Sequence, residues 1–283
     1  MSFIQPIRNL ISDPDKANEE FNSLLEEKVI GVRMESGSKP ERPGETILSL
    51  IIVSRTFGQV LVFDVLQSPE ILQDKWFKTL MESERPIKVM FHPEHDSKLL
   101  WRSSNISLHG VFDPQTLQMV KESIEKRLPT RKLGYQRQTL TDICRLYGVE
   151  CDYDKGLVKK MLEQNSLLFM ERSNIRQLMT ICEDSAECLI PLYDKMKREL
   201  HIAVVKDKYS QMLEECLYGG PHGANKDDLK KQRLIRDYLE TKQFRKEHGH
   251  SALTKGDKQL LRRGRLSFRM TFQHDTTKAD SLC

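Results

Sequence analysis

The sequence has no long apolar run, no cysteine pair at C-x-x-C spacing, no glycine-rich phosphate loop and no internal repeat. Each absence closes a class of function. No segment approaches the roughly 20 apolar residues that span a bilayer, and the N-terminus lacks a charged start followed by an apolar stretch of signal-peptide length. A soluble, cytoplasmic protein without a membrane partner is therefore expected. The six cysteines, Cys144, Cys151, Cys182, Cys188, Cys216 and Cys283, are scattered, with no histidine at zinc-ligand spacing beside them. They read as reduced, mostly structural thiols, and no resident metal or cofactor is expected from them. The missing Walker and dinucleotide loops remove the commonest nucleotide-cradling sites, and the missing repeat removes solenoids and propellers.

What is there fits one sizeable core with an appendage: 283 residues, 38% hydrophobic and 30% charged. The net charge of +4 hides an asymmetry. Residues 226–269 hold 14 Lys/Arg against 6 Asp/Glu, a local +8; residues 270–283 contribute −1, which leaves residues 1–225 at −3. A basic tail on a mildly acidic body is the electrostatic footprint of a polyanion partner, or else a solvated tail. Gly219-Gly220-Pro221 marks the boundary, giving a domain over residues 1–218 and a basic extension over 219–283.

The run Val29-Ile30-Gly31-Val32-Arg33-Met34-Glu35, followed by a loop with Gly37, Pro40, Pro43 and Gly44, reads as a buried central strand with polar residues at its C-terminal end. Arg33 and Glu35 are two apart and so share a face. A helix precedes this strand, after Ser12-Asp13-Pro14. Two β-rich runs follow as an antiparallel hairpin, Ile47 to Val53 and Gln59 to Val65. From Ser68 onward helices and short strands alternate: a helix to Met81, a strand Ile87 to Phe91, a helix after Pro93, a strand near Gly110 to Asp113 and a helix from Pro114. Further helices are expected over Leu140 to Tyr147, Leu157 to Leu162, one long one over Ile175 to Leu200, and Ala203 to Leu217. The fold class is α/β, with three antiparallel strands and then parallel ones, flanked by helices.

Three acids fall at telling places: Glu35 ends the first long strand, Asp96 lies in the first turns of the helix after Ile87 to Phe91, and Asp184 is midway along the long helix. Together with V-L-V-F-D-V, V-x-x-H-x-x-x-D-S-x-x-L at Val89 to Leu100, F-D-P-Q-T at Phe112 to Thr116, L-x-x-M-E-R-S at Leu167 to Ser173 and E-D-x-x-x-x-L-I-P-L-Y at Glu183 to Tyr193, they form an ordered set. Over residues 1–198 the chain resembles the DEDD superfamily of 3'-to-5' exonucleases, in the branch of ribonuclease D, the Werner-type domain and Egalitarian. Within it the chain looks most like the catalytically degenerate RNA adaptors of the piRNA pathway.

The resemblance implies a ribonuclease H-like fold and, in active members, four acids holding two divalent metals. By the D-x-E spacing the first of those acids falls here on Arg33, the second on Glu35, the others on Asp96 and Asp184; the water-orienting tyrosine falls on Thr180. An arginine where a carboxylate bridges two metals inverts the charge at the centre of the site. A pseudo-exonuclease is thus expected, with Arg33 satisfying Glu35, Asp96 or Asp184, no catalytic residues and no metal. The alternative is a weakly active enzyme using Mg2+ or Mn2+ at Glu35, Asp96 and Asp184. His92 and His95 read as a surface pair.

The resemblance further implies a single-stranded RNA partner within a protein assembly, acting in small-RNA biogenesis or mRNA handling. The expected RNA contacts are the basic segment Lys126, Arg127, Arg131, Lys132, Tyr135 and Arg137, where the tyrosine can stack a base, and Arg262, Arg263 and Arg265 in the tail. A protein-only scaffold and a homodimer are further possibilities consistent with the same sequence.

Overall fold

The structure is a computed structural model that describes residues 10–38, 45–126, 138–173 and 175–218. The chain divides into two compact units, residues 1–117 with 138–217, and residues 118–137 with 218–283. The first holds a six-stranded sheet in the order β1-β4-β3-β2-β5-β6. Its strands are β1 (Leu10–Ile11), β2 (Val29–Ser38), β3 (Thr46–Ser54), β4 (Val60–Asp64), β5 (Ile87–Val89) and β6 (Val111–Phe112). β2, β3 and β4 are antiparallel neighbours, while β5 and β6 run parallel to β2. The sheet is therefore of the mixed kind expected. The short edge strand β1, parallel to β4, has too few residues to show a period in the sequence.

Alternation along the strands assigns the two faces. On one, Phe21 of α1 (Pro14–Leu24) stacks on Phe63 of β4 at 4.3 Å between centroids and approaches Phe77 of α2 (Lys75–Glu82) at 5.1 Å. All three rings are fully buried, each contributing about 1.5–3 kcal/mol of transfer free energy. On the other face, Leu50, Ile52, Val60 and Val62 meet Val158 of α6 (Lys155–Gln164) and Leu178, Met179 and Cys182 of α7 (Ile175–Glu187). Residues directly opposite across a ladder share a face. Arg33 lies opposite Ile52 and Glu35 opposite Leu50, so both project to the α6–α7 side.

Two expected helices are divided. The stretch from Ser68 to Met81 is a 3-10 turn (Pro69–Gln73) followed by α2, because the Asp74 carboxylate accepts from the N–H groups of Trp76 and Phe77 at 2.7 and 3.0 Å and starts a new helix. The long helix over 175–200 is instead α7, α8 (Leu189–Met196) and a 3-10 turn (Lys197–His201). Pro191 has no N–H and its ring crowds the carbonyl four residues back, at Glu187, where α7 ends. The remaining helices are α3 (Glu94–Ser104), α4 (Pro114–Glu125), α5 (Leu140–Leu146) and α9 (Ala203–Tyr218).

Gly31 of β2 explains the close approach of α8. A Cβ there would run into Ser54 Oγ and come within 3.0 Å of Leu189 Cβ. Ser54 instead donates its hydroxyl to the Ala186 carbonyl at 2.9 Å, which ties the sheet to the α7–α8 junction.

Candidate functional site

The site begins with strand geometry. Arg33 and Glu35 stand on one face of β2, and the register of β2 on β3 shifts just after Glu35, a bulge of the kind that re-aims side chains beside functional sites. Their side chains pair, Arg33 Nη2 donating to Glu35 Oε1 at 3.3 Å, with 16% and 15% of each exposed. The third member comes from α3. Asp96 sits in its first turn, next to the C-terminal end of β5, where both Arg33 and Glu35 act on it.

The electrostatics of the three are mutual. Burial pushes the Asp96 carboxyl up, the Arg33 guanidinium pulls it back, Glu35 adds to the rise, and it ends at about 7. Burial likewise raises Glu35 against the opposing pull of Arg33. Burial alone would lower Arg33, but Glu35, Tyr153 and Asp96 outweigh it and hold the guanidinium firmly charged. Tyr153, which nothing in the local sequence singles out, places its ring 5.3 Å from the Arg33 guanidinium carbon, a cation–π contact. Arg33 Nε is buried without a hydrogen-bond partner among the described residues.

Asp184 does not join this group. The charges that act on it are Asp152 and Cys151, which raise it after burial does, and Arg33 is not among them. The reason is helical phase. Cys182, 100° per residue earlier, is the α7 residue buried toward Arg33 and Glu35, and its thiol is pushed up by burial and by Glu35. Asp184 is two residues, about 200°, further round the helix. Thr180, four residues before Asp184, lies on that same outer stripe and is exposed. Of the acids singled out from the sequence, the fold thus brings Glu35 and Asp96 to Arg33 and turns Asp184 away. The expectation that Arg33 satisfies an acid is met by Glu35.

Two motifs behind the family resemblance prove architectural. Arg172 grips the fully buried Asp64 of β4 with Nε and Nη2, both at 2.6 Å, and donates to Ser49 Oγ and to the Phe169 carbonyl. This fork-to-carboxylate pair locks the segment before α7 onto the sheet. Asp113 accepts from the N–H groups of His92 and Gln115 and from the Thr116 hydroxyl, so the F-D-P-Q-T stretch is the start of α4 rather than chemistry. His95 Nε2 lies 3.4 Å from Ser36 Oγ and is partly exposed at the rim.

Of the residues expected to contact RNA, Lys126 is exposed and pairs with Glu122 at 2.8 Å. Arg127, Arg131, Lys132, Tyr135, Arg137, Arg262, Arg263 and Arg265 lie outside the described residues. Among the described residues no helix is long and apolar enough to cross a membrane.

An Arg–Glu–Asp cluster can hold a fixed internal cation or bind one anionic group. A metal pair is another matter, because a divalent ion seated about 5 Å from a guanidinium is opposed by roughly 7 kcal/mol at an effective dielectric of 20. Glu35 and Asp96 are the carboxylates available to offset that repulsion.

Comparison with known proteins gives the same frame. The model of the 3'-5' exonuclease family matches residues 9–201. The fold resembles RNase D of Trypanosoma brucei, with 16% identity, a TM-score of 0.60, and coverage of 77% of this chain and 75% of that one. It also resembles that enzyme in complex with RNA U12, at 16% identity and a TM-score of 0.59, covering 77% and 72%. The Aedes aegypti Nibbler EXO domain is 19% identical with a TM-score of 0.52, covering 74% of this chain and 94% of that one. The Egalitarian protein homolog of Caenorhabditis elegans is 30% identical over 112 residues, which is 40% of this chain and 18% of that relative. The chain thus spans less than a fifth of that relative's length. With a family match over most of the sheet-bearing unit and an RNase D-like arrangement of strands, the chain belongs to the 3'-5' exonuclease family, in its DEDD type.

Proposed function

We propose that this protein is a catalytically inactive, exonuclease-like RNA-binding adaptor working in a cytoplasmic protein–RNA complex, in small-RNA (piRNA) biogenesis or mRNA handling. The observation that carries the reading is the Arg33–Glu35 pair. A guanidinium occupies the position where, by the family's D-x-E spacing, a metal-bridging carboxylate belongs. It neutralises Glu35, acts on Asp96 and repels any divalent ion drawn to them. The turn of Asp184 toward Cys151 and Asp152 takes its carboxylate away from that centre. Without metals no water is activated, and what remains of the ancestral function is a surface for a strand and for protein partners. RNA bound to RNase D, and the likeness to an Egalitarian homologue, favour RNA as the retained ligand. The basic segment and tail supply its phosphate contacts, and a homodimer is one form the assembly can take.

The test uses end-labelled single-stranded RNA with Mg2+ and with Mn2+, beside a gel-shift over a salt series. The expected result is no cleavage, no recovery of cleavage in Arg33→Asp, and binding whose log–log salt slope is about −0.7 per phosphate contact. Cleavage that disappears in Asp96→Ala would establish instead the weakly active, metal-dependent exonuclease. Neither cleavage nor binding would establish a protein-only scaffold.

A further inference from the structure

Far apart in sequence and at no zinc-ligand spacing, Cys144, Cys151 and Cys188 converge in space. Their sulfurs all lie within 4.8 Å of one another. Thiols scattered along the sequence are gathered by the fold. Cys144 comes from the buried face of α5, Cys151 from the segment after it, and Cys188 from the junction of α7 and α8. The turn that brings Cys151 back is built locally: Val149 N–H donates to the Cys144 carbonyl at 2.8 Å, Gly148 takes a φ of 64°, and the Thr141 hydroxyl donates to the Tyr153 carbonyl at 2.7 Å. Cys144 and Cys188 are buried and Cys151 is half-buried, so the group has one side open to solvent.

We propose that these three cysteines form a thiolate site for a soft, d10 divalent cation, Zn2+ in the first instance. In tetrahedral zinc sites Zn–S bonds of about 2.3 Å set the sulfurs about 3.8 Å apart. Side chains already within 4.8 Å reach that separation by small rotamer adjustments. A disulfide is the poorer use of the cluster: it needs sulfurs about 2.05 Å apart and would strand the third thiol.

The polar surroundings favour a cation. The three sulfurs face one another within 4.8 Å, and Asp184, which feels the charges of both Asp152 and Cys151, adds negative charge beside them. No histidine or carboxylate joins the three sulfurs among the described residues, so the fourth position falls to water on the open side. Uptake is a substitution: Zn2+ takes the sulfur lone pairs, and up to three thiol protons leave to solvent. A metal there would staple α5 and its following turn to the α7–α8 break, bracing Tyr153 against Arg33 from two residues away.

The experiment loads the full chain, purified with reductant, with Zn2+ and measures metal by mass spectrometry after desalting, alongside the thiolate-to-metal charge-transfer band given by Co2+. About one equivalent of zinc per chain is expected. It should fall at least about tenfold in Cys144→Ser, Cys188→Ser and Cys151→Ser, the last at a half-exposed position that leaves the core untouched. Cys216→Ser, on α9, should retain zinc and the Co2+ band. The proposal is overturned if the wild-type chain retains less than about a tenth of an equivalent, if the three variants keep the metal, or if the reduced chain reoxidises to a disulfide within the trio in preference to taking up zinc.

Discussion

Replacing Arg33 by Met keeps most of the hydrocarbon in place and removes the cation at the centre of the site. The pair with Glu35 is a charge-assisted hydrogen bond between side chains only 16% and 15% exposed, worth about 1.5–3 kcal/mol. The contact with the Tyr153 ring adds about 0.5–1 kcal/mol. A loss of about 2–4 kcal/mol is therefore expected at about pH 8, where burying the acids without Arg33 means either leaving them ionised and unpaired or holding protons that the unfolded chain has released.

The sign of the pH dependence follows from the acids. Both already have folded pKa values above their ordinary ones, Asp96 at about 7, and losing Arg33 raises both further. The variant's folded state then holds more protons than its unfolded chain from about pH 4 to above 7, so its stability falls as pH rises through that window, more steeply than in the wild type. At about pH 5.5 Asp96, already at about 7 with Arg33 present, is largely protonated in the variant and the loss should shrink to about 1 kcal/mol. Urea unfolding followed by circular dichroism reads this directly. With a slope near 3 kcal/mol per molar, the midpoint should drop by about 1 M at the higher pH and by a third of that at the lower. An equal loss at both pH values, or a larger one in acid, would refute the charge coupling.

Other consequences are equally direct. In a carboxyl-resolved NMR titration, Asp96 should titrate near 7 and move higher in Arg33→Met; a midpoint near 4 would mean that the carboxyl is not held by burial and Glu35. Arg172→Met leaves the Asp64 carboxylate buried without its bidentate partner, and a loss of about 3–5 kcal/mol is expected, part of it recovered by adding Asp64→Asn. Additive effects of the two substitutions in a double-mutant cycle would refute that pairing. Gly31→Ala should cost about 1–3 kcal/mol, because its methyl meets Ser54 and Leu189; Ser54→Ala, which makes room for that methyl but loses the bond to Ala186, should restore only part of this.

The sequence by itself determined most of the elements and their order. Apolar, β-rich runs mark β2, β3 and β4, and proline and acidic caps mark the helix starts. The two-residue spacing of Arg33 and Glu35 places them on one face whatever surrounds them. Periodicity is local, and local physics carries it. The phase of α7 was not legible in the same way. Which of Cys182 and Asp184 meets Arg33 turns on about 200° of helical rotation, set by packing of Leu178, Cys182 and Ala186 on β3 and β4. Nor was the break at Cys188, where Pro191 excludes continuation and the Ser54 hydroxyl holds the Ala186 carbonyl. Tyr153 and the cysteine trio were hidden for a related reason: Arg33 and Cys188 lie tens of residues from Tyr153 and from the Cys144–Cys151 turn, and only tertiary closure brings them within contact distance.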